Sequence, residues 1–392
     1  MTTSRAAGKV QLTLLLIASC MPVLGAVLLS PVLPRMSDHF AGTAGAKVLV
    51  PIVLTVPALF IAIGAPFAGA IADRFDRKRL LVGTMVAYSV FGTAPLYLDS
   101  LYAILASRML VGICEAAIMT CCTTLIGDYW SGRRRLRYLG LQTLVTTIAA
   151  TAFFGLGGAL GAGGWRAPFW LYLVAAVAAV PMVRFLWQPQ ADAADGAERA
   201  PWPWRELAFP ALVTVAGGAV FYTLIVQLSY LLDDAGVSSS AAIGGLSALM
   251  SLATAVGAAL FARLAGRGAR FLLTLEFALA GAGLLLTFAT GTVPMIAAGA
   301  VVTGFATGLL LPTLLTWAVD RLSFSQRGRG TGLWTAALFL GEFLSPLVVA
   351  GLTAATGGLG AALAVVGGLS LAMALLVGLV RAVSAPLAAT AE

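Results

Sequence analysis

Charge is scarce in this sequence. Only 10% of its 392 residues are Asp, Glu, Lys or Arg, while 60% are hydrophobic and the mean hydropathy is +0.97. A chain so apolar has lipid rather than water as its main solvent. Histidine occurs once, at His39, and no Ser/His/Asp set surrounds it, so no catalytic constellation is present and no enzyme is expected. No G-x-x-x-x-G-K-[ST] segment occurs, which argues against an ATP-driven pump. Cysteine is limited to Cys20, Cys114, Cys121 and Cys122, all in apolar stretches without metal-ligand spacing, where small buried thiols are the expectation. No metal or cofactor is expected. The formal net charge of +8 comes without a basic stripe interleaved with aromatics, so no nucleic-acid partner is expected.

Long apolar runs fill the space that charge leaves. A hydrocarbon core of about 30 Å takes roughly 20 residues of helix, and the pattern predicts twelve spans near 11–35, 47–72, 79–98, 101–127, 138–162, 166–187, 207–232, 240–263, 271–290, 293–319, 329–353 and 360–383. Barrel strands would alternate apolar and polar residues, whereas Leu80–Leu98 and Phe271–Ala289 are almost continuously apolar. The first run, Val10–Leu33, is too long for a signal-peptide core and reads as a retained helix. The fold class expected is an all-α polytopic membrane protein.

Twenty of the 24 basic residues fall at the chain ends or in alternate loops. Arg35, Lys47 and Arg166 lie on the other side, and Arg108 lies inside a span. Because Lys and Arg collect on the cytoplasmic side, both termini are expected in the cytoplasm of a cell-membrane, multi-pass protein. An internal repeat adds to this. At an offset of 192 residues, Gly112, Asp128, Arg135, Arg137 and Gly140 match Gly304, Asp320, Arg327, Arg329 and Gly332. Two parallel six-helix bundles follow, over residues 1–187 and 207–392, joined by a polar linker at 188–206. Repeats of this kind usually bind small molecules between the halves near the bilayer midplane.

The segment "GAIADRFDRKRL", residues 69–80, packs six charges into Asp73–Arg79. With Gly69, Asp73, Arg74, Arg77, Lys78 and Arg79 in place, it resembles the loop 2–3 signature of the major facilitator superfamily. "SRMLVGICEAA" resembles the span 4 signature through Arg108 and Gly112, and "GGALGAGGWRAPFWLY" resembles the end of span 5 in the twelve-span drug/proton antiporter branch. Asp76 stands where the family has Gly, a position Asp tolerates because it visits the left-handed region. Phe153 and Phe154 stand where that branch has Gly-Pro.

Topology accounts for Arg77, Lys78 and Arg79 but not for Asp73, since an acid at a helix C-terminus is disfavoured by about 0.3–1 kcal/mol. The resemblance implies a partner: Asp73 meets the start of span 11, where Arg327, Arg329 and exposed amides supply donors. Gly69, Asp73, Arg74, Arg77, Arg327 and Arg329 are thus expected to form a conformational latch.

Charges inside spans cost about 2.5–3.5 kcal/mol each, which singles out Arg108, Glu115 and Glu342. Arg108 and Glu115 are seven residues apart and share a helix face. A carboxyl removed from water is a candidate proton carrier, and the alternative for either Glu is a hydrogen bond to a neighbouring helix. The resemblance implies a proton-coupling role for Arg108, the alternative being a charge that holds span 4 against backbone carbonyls. Glu276 is expected to pair with a loop arginine. In the family, spans 1, 4, 7 and 10 line the cavity, which nominates Met119, Phe221, Tyr222, Gln227, Tyr230, Phe305 and Trp317 for substrate.

The function expected is proton-coupled efflux of a small hydrophobic or cationic compound by a monomeric secondary transporter. The alternatives are an importer of a small nutrient on the same scaffold, and a sensor or lipid-handling protein with no transport cycle. Asp73 argues against the last, because a static receptor has no need of a breakable contact.

Overall fold

The computed structural model describes residues 7–67, 76–188, 204–289, 291–323 and 326–380, and among these every regular element is helical. Twelve helices are long and apolar enough to cross a membrane: α1 Lys9–His39, α2 Ala46–Phe67, α3 Arg77–Leu96, α4 Leu101–Tyr129, α5 Gly132–Gly161, α6 Ala167–Phe185, α7 Leu207–Asp234, α8 Ser240–Arg267, α9 Ala269–Ala289, α10 Val293–Val319, α11 Arg329–Thr356 and α12 Leu359–Leu379. Helices suit this setting because lipid offers no partner to a backbone amide, and a helix satisfies its own.

Two departures from the expected spans have clear causes. Helix α5 starts at Gly132, six residues early, so Arg133, Arg134, Arg135 and Arg137 ride on its first turns rather than in a loop. Its 30 residues make about 45 Å of helix, longer than the hydrocarbon core. Helix α1 is broken into Lys9–Ser19, Met21–Val27, a 3-10 turn at Ser30–Val32 and Leu33–His39. Pro22, Pro31 and Pro34 each lack an amide proton and stand at the joints. The piece that ends at Val27 therefore presents last-turn carbonyls at Gly25 and Ala26, which need partners from elsewhere.

Within the first six helices, α4 packs against α2 and α3, and α3 against α6. In the last six, α9 packs on α10 and α12, α10 on α8, and α7 on α11. Bare glycine backbones set several of these approaches: a Cβ at Gly283 would stand 2.8 Å from the Gly299 carbonyl, and one at Gly281 2.7 Å from that of Gly367. The first half has such approaches too, as at Gly112 and Pro57, and adds polar ties described below.

The halves meet along two seams. On the side opposite the termini, α1 and α7 are joined by Ser30 Oγ donating to the Ile225 carbonyl at 2.5 Å, Tyr222 OH to that of Ala26 at 2.5 Å, and a Ser37–Tyr230 hydroxyl pair at 2.9 Å. There α5 and α8 cross at Gly158 and Gly244, with Thr151 and Ser251 hydroxyls 2.9 Å apart below the crossing. Toward the termini side, Gly332 of α11 lies against Ala65 and Pro66 of α2.

The expected latch falls only partly within view. Gly69, Asp73 and Arg74 lie outside the described residues. Arg77 makes an ion pair with Asp128 at the end of α4, inside its own half. The helix that carries α11 begins two residues before the span, at Arg327, and Arg327 and Arg329 sit on its first turn, Arg327 exposed and Arg329 partly buried. Asp76 adopts extended backbone (φ −60°, ψ 108°), not the left-handed form expected for the family's Gly position, because its carboxylate caps α3 by accepting from the Arg79 amide at 2.8 Å.

Gly112 of α4 leaves no room for a side chain: a Cβ there would stand 2.6 Å from both Cα and O of Pro57 in α2. Gly112→Ala is expected to destabilise the protein by about 1–3 kcal/mol through overpacking, read as a lower Tm in detergent. Gly83→Ala, where nothing lies within 4 Å, is the matched control.

Candidate functional site

Arg108 is fully buried and its guanidinium reaches from α4 to three other helices. It donates from Nε to the Val53 carbonyl of α2 at 3.2 Å, from one terminal nitrogen to the Gly25 carbonyl of α1 at 3.0 Å, and from the other to Tyr172 OH of α6 at 2.5 Å. The proline-made break in α1 exposes the Gly25 acceptor. Of the two readings for Arg108, the geometry matches a charge that holds α4 against backbone carbonyls. Tyr88 completes the set by donating to the Met21 carbonyl at 2.5 Å, its ring centroid 5.1 Å from that of Tyr172.

Two turns along α4, Glu115 is 2% exposed, and its Oε1 is out of solvent with no hydrogen-bond partner among the described residues. Gly25 lies so close that any Cβ there would collide with this oxygen. Glu115 borders a cavity of about 290 Å³ between the halves, lined from α1, α2, α4 and α5 on one side and α7, α8, α10 and α11 on the other. Glu342 of α11, 5% exposed, borders the same cavity. The wall is otherwise apolar and aromatic, with Phe154, Phe221, Tyr222 and Phe339, plus threonines of α5, α8 and α10. No Lys, Arg or His is among the lining residues.

The structure brings together Glu115, Glu342, Met119, Phe221 and Tyr222 of the residues expected to act on substrate or proton. Four others are elsewhere. Tyr230 is about two turns beyond Tyr222, at the α1 seam with Ser37, and Gln227 is buried on α7 outside the cavity wall. Phe305 points away because α10 faces the cavity with Thr303, Gly304, Thr307 and Leu311, and residue 305 is out of phase with that stripe. Trp317 lies about three turns past Thr307, packed on Phe209 with ring centroids 5.8 Å apart and under the Arg321 guanidinium. Glu276 is also corrected. It is fully buried, and instead of a loop arginine it accepts from Thr313 Oγ1 of α10 at 2.7 Å, while Arg270 donates to the Gly378 carbonyl.

Reading spans 1, 4, 7 and 10 as the lining missed the contributions of α2, α5, α8 and α11. For α5 and α8 the sequence held a signal in Thr146, Thr147 and Thr254, hydroxyls set within otherwise apolar spans.

The family model described as "Major Facilitator Superfamily" matches residues 15–216 and 208–391. The chain belongs to this superfamily. As a superfamily member it is a secondary transporter of small molecules rather than an enzyme. It is 28% identical over 301 residues, 73% of each chain, to the 3-(3-hydroxy-phenyl)propionate transporter of Escherichia coli. It is 30% identical over 189 residues, 46% of each, to multidrug resistance protein 1 of Bacillus subtilis. The human organic anion transporter MFSD10 shares the fold at a TM-score of 0.70 and 20% identity, over 93% of this chain and 98% of that one.

The three acceptors of Arg108 predict an order of sensitivity. Arg108→Lys keeps the charge but loses the planar fork and is expected to cost about 2–3 kcal/mol, Tyr172→Phe about 1 kcal/mol. Thermal unfolding in detergent checks the order, and equal Tm values for Arg108→Lys and wild type would contradict it.

Proposed function

We propose that this transporter exports a small apolar or cationic compound in exchange for protons, by alternating access of one cavity between residues 1–187 and residues 207–392. The observation that carries the reading is the pair of buried carboxyls, Glu115 and Glu342, one from each half, on a cavity wall with no basic side chain. An anionic substrate would meet two acids and no counter-charge there, since Arg108 is already committed to Gly25, Val53 and Tyr172. A neutral or positive compound would meet aromatic faces and carboxylates. Each cycle moves protons down their gradient: with a neutral compound the membrane potential contributes about 2.3 kcal/mol per charge per 100 mV besides the pH difference, and with a monovalent cation exchanged for one proton the pH difference alone drives the cycle.

In this reading the basic side is cytoplasmic, and the α2–α11 approach at Ala65, Pro66 and Gly332 is the contact that Asp73 fastens to the start of α11. The protein works as a monomer, since each copy holds its own complete cavity. A second reading, uptake of a nutrient, is favoured by one specific departure. Phe154 occupies the position where the antiporter branch has Pro, and it lines the cavity.

Everted vesicles with an acid interior test both readings. Ethidium is expected to be concentrated inside while dissipating part of the imposed pH gradient, Glu115→Gln to abolish the concentration in a folded protein, and Asp73→Asn to slow its initial rate. Ethidium movement without proton flux would contradict coupling, and a wild-type rate in Asp73→Asn would contradict the latch.

A further inference from the structure

The two cavity carboxyls differ in their surroundings. Glu115 has one oxygen pressed against the bare backbone of Gly25, and Tyr88 OH would be 3.3 Å from a Cβ built there. That oxygen is sealed from solvent and accepts no hydrogen bond from the described residues. Tyr88 does not serve it, because its hydroxyl donates to Met21. The space at this oxygen admits a proton but not the head of an organic cation.

Glu342 stands in the opposite wall. It is nine-tenths buried or more as a residue and borders the open cavity, with no side-chain hydrogen-bond or ion-pair partner among the described residues. Phe339, three residues earlier and so on the same helix face, lines the cavity beside it, together with Phe221 and Tyr222 of α7. Tyr222 is not a donor to Glu342, since its hydroxyl is held by the Ala26 carbonyl. An acid flanked by aromatic rings, open on one side and without a counter-ion, suits an ammonium-type head, which gains from the charge and from the ring faces together.

We infer that the two carboxyls divide the work: Glu342 selects for a monovalent aromatic or alkyl-ammonium cation, and Glu115 carries the exchanged proton. Cation arrival at Glu342 and proton departure from Glu115 leave the net charge of the cavity unchanged, so neither loaded nor empty form adds an uncompensated charge inside the membrane. This assignment rests on the proton-coupled reading above. The groups that bear on the cavity charge are Glu115, Glu342 and, behind the wall, Arg108, whose three acceptors hold it away from any ligand.

The test compares isosteric probes on the full-length protein in detergent, by ligand-induced thermal stabilisation and by intrinsic tryptophan fluorescence. Phenyltrimethylammonium and its neutral isostere tert-butylbenzene differ only in the central atom, N⁺ against C, and benzoate supplies the opposite charge. Wild type is expected to bind the cation at least tenfold more tightly than the isostere, with the cation affinity rising with pH as the competing proton is lost. Glu342→Gln is expected to erase the cation preference while tert-butylbenzene binds as in wild type, which also shows the cavity intact, and Glu342→Asp to restore part of it. Glu115→Gln is expected to keep the preference and to lose the release of a proton on cation binding that wild type shows in weakly buffered solution. Wild-type preference in Glu342→Gln, loss of preference in Glu115→Gln, no preference in wild type, or preferred binding of benzoate would each overturn the assignment. A cation preference that depends on Glu342 in a protein that moves no protons in vesicles would instead overturn the coupling alone.

Discussion

The guanidinium of Arg108 is the fixed point on which the rest depends. Out of water, an unpartnered arginine costs more than its helix can bear, and here each of the three guanidinium nitrogens finds an acceptor, at the Val53 and Gly25 carbonyls and the Tyr172 hydroxyl. The result ties α1, α2, α4 and α6 at one depth. It also occupies the basic group behind the cavity wall, which leaves Glu115 and Glu342 facing the cavity without a counter-charge among the described residues. One interaction thus ties four helices of the first half together and keeps a guanidinium out of the cavity wall.

The joint between the halves is of another kind. Across α1 and α7 it consists of hydroxyl-to-carbonyl and hydroxyl-to-hydroxyl bonds, each worth about 0.5–1.5 kcal/mol net and readily replaced by water. At α5 and α8 it is a crossing of glycines with a Thr151–Ser251 contact. A tie saturated within one half and a seam of replaceable bonds between halves is the mechanical contrast that alternating access requires. The second half is held by close backbone approaches, as at Gly283 with Gly299 and Gly281 with Gly367.

Much of this was legible in the residues, and the limits have physical causes. Apolar run length located the twelve helices because lipid thickness imposes it, and mid-span charges pointed to Glu115 and Glu342 because such charges are expensive. The broken course of α1 was written in Pro22, Pro31 and Pro34, but which side chains would take up the freed carbonyls depends on how α4 and α6 are rotated, which spacing along one helix does not state. The same rotation decides the misplaced residues. Trp317 and Phe305 are as aromatic as Phe221, yet one is too far along α10 and the other is on the wrong face. Glu276 shows that depth within a helix does not fix a partner, since it turned inward to Thr313 rather than outward to an arginine.

The central claim is that two internally firm halves part and rejoin around one cavity, and distances across the seam test it most directly. Spin labels at residues 38 and 233 report on the α1–α7 seam, while labels at residues 47 and 102 report within the first half, where Tyr102 OH reaches the Ala44 carbonyl at 3.4 Å. The account predicts two populations for the cross-seam pair, with a ratio that moves with pH and is frozen by Glu115→Gln, and a single unchanging distance for the pair within the half. One fixed cross-seam distance under all conditions, or equal movement in both pairs, would contradict it.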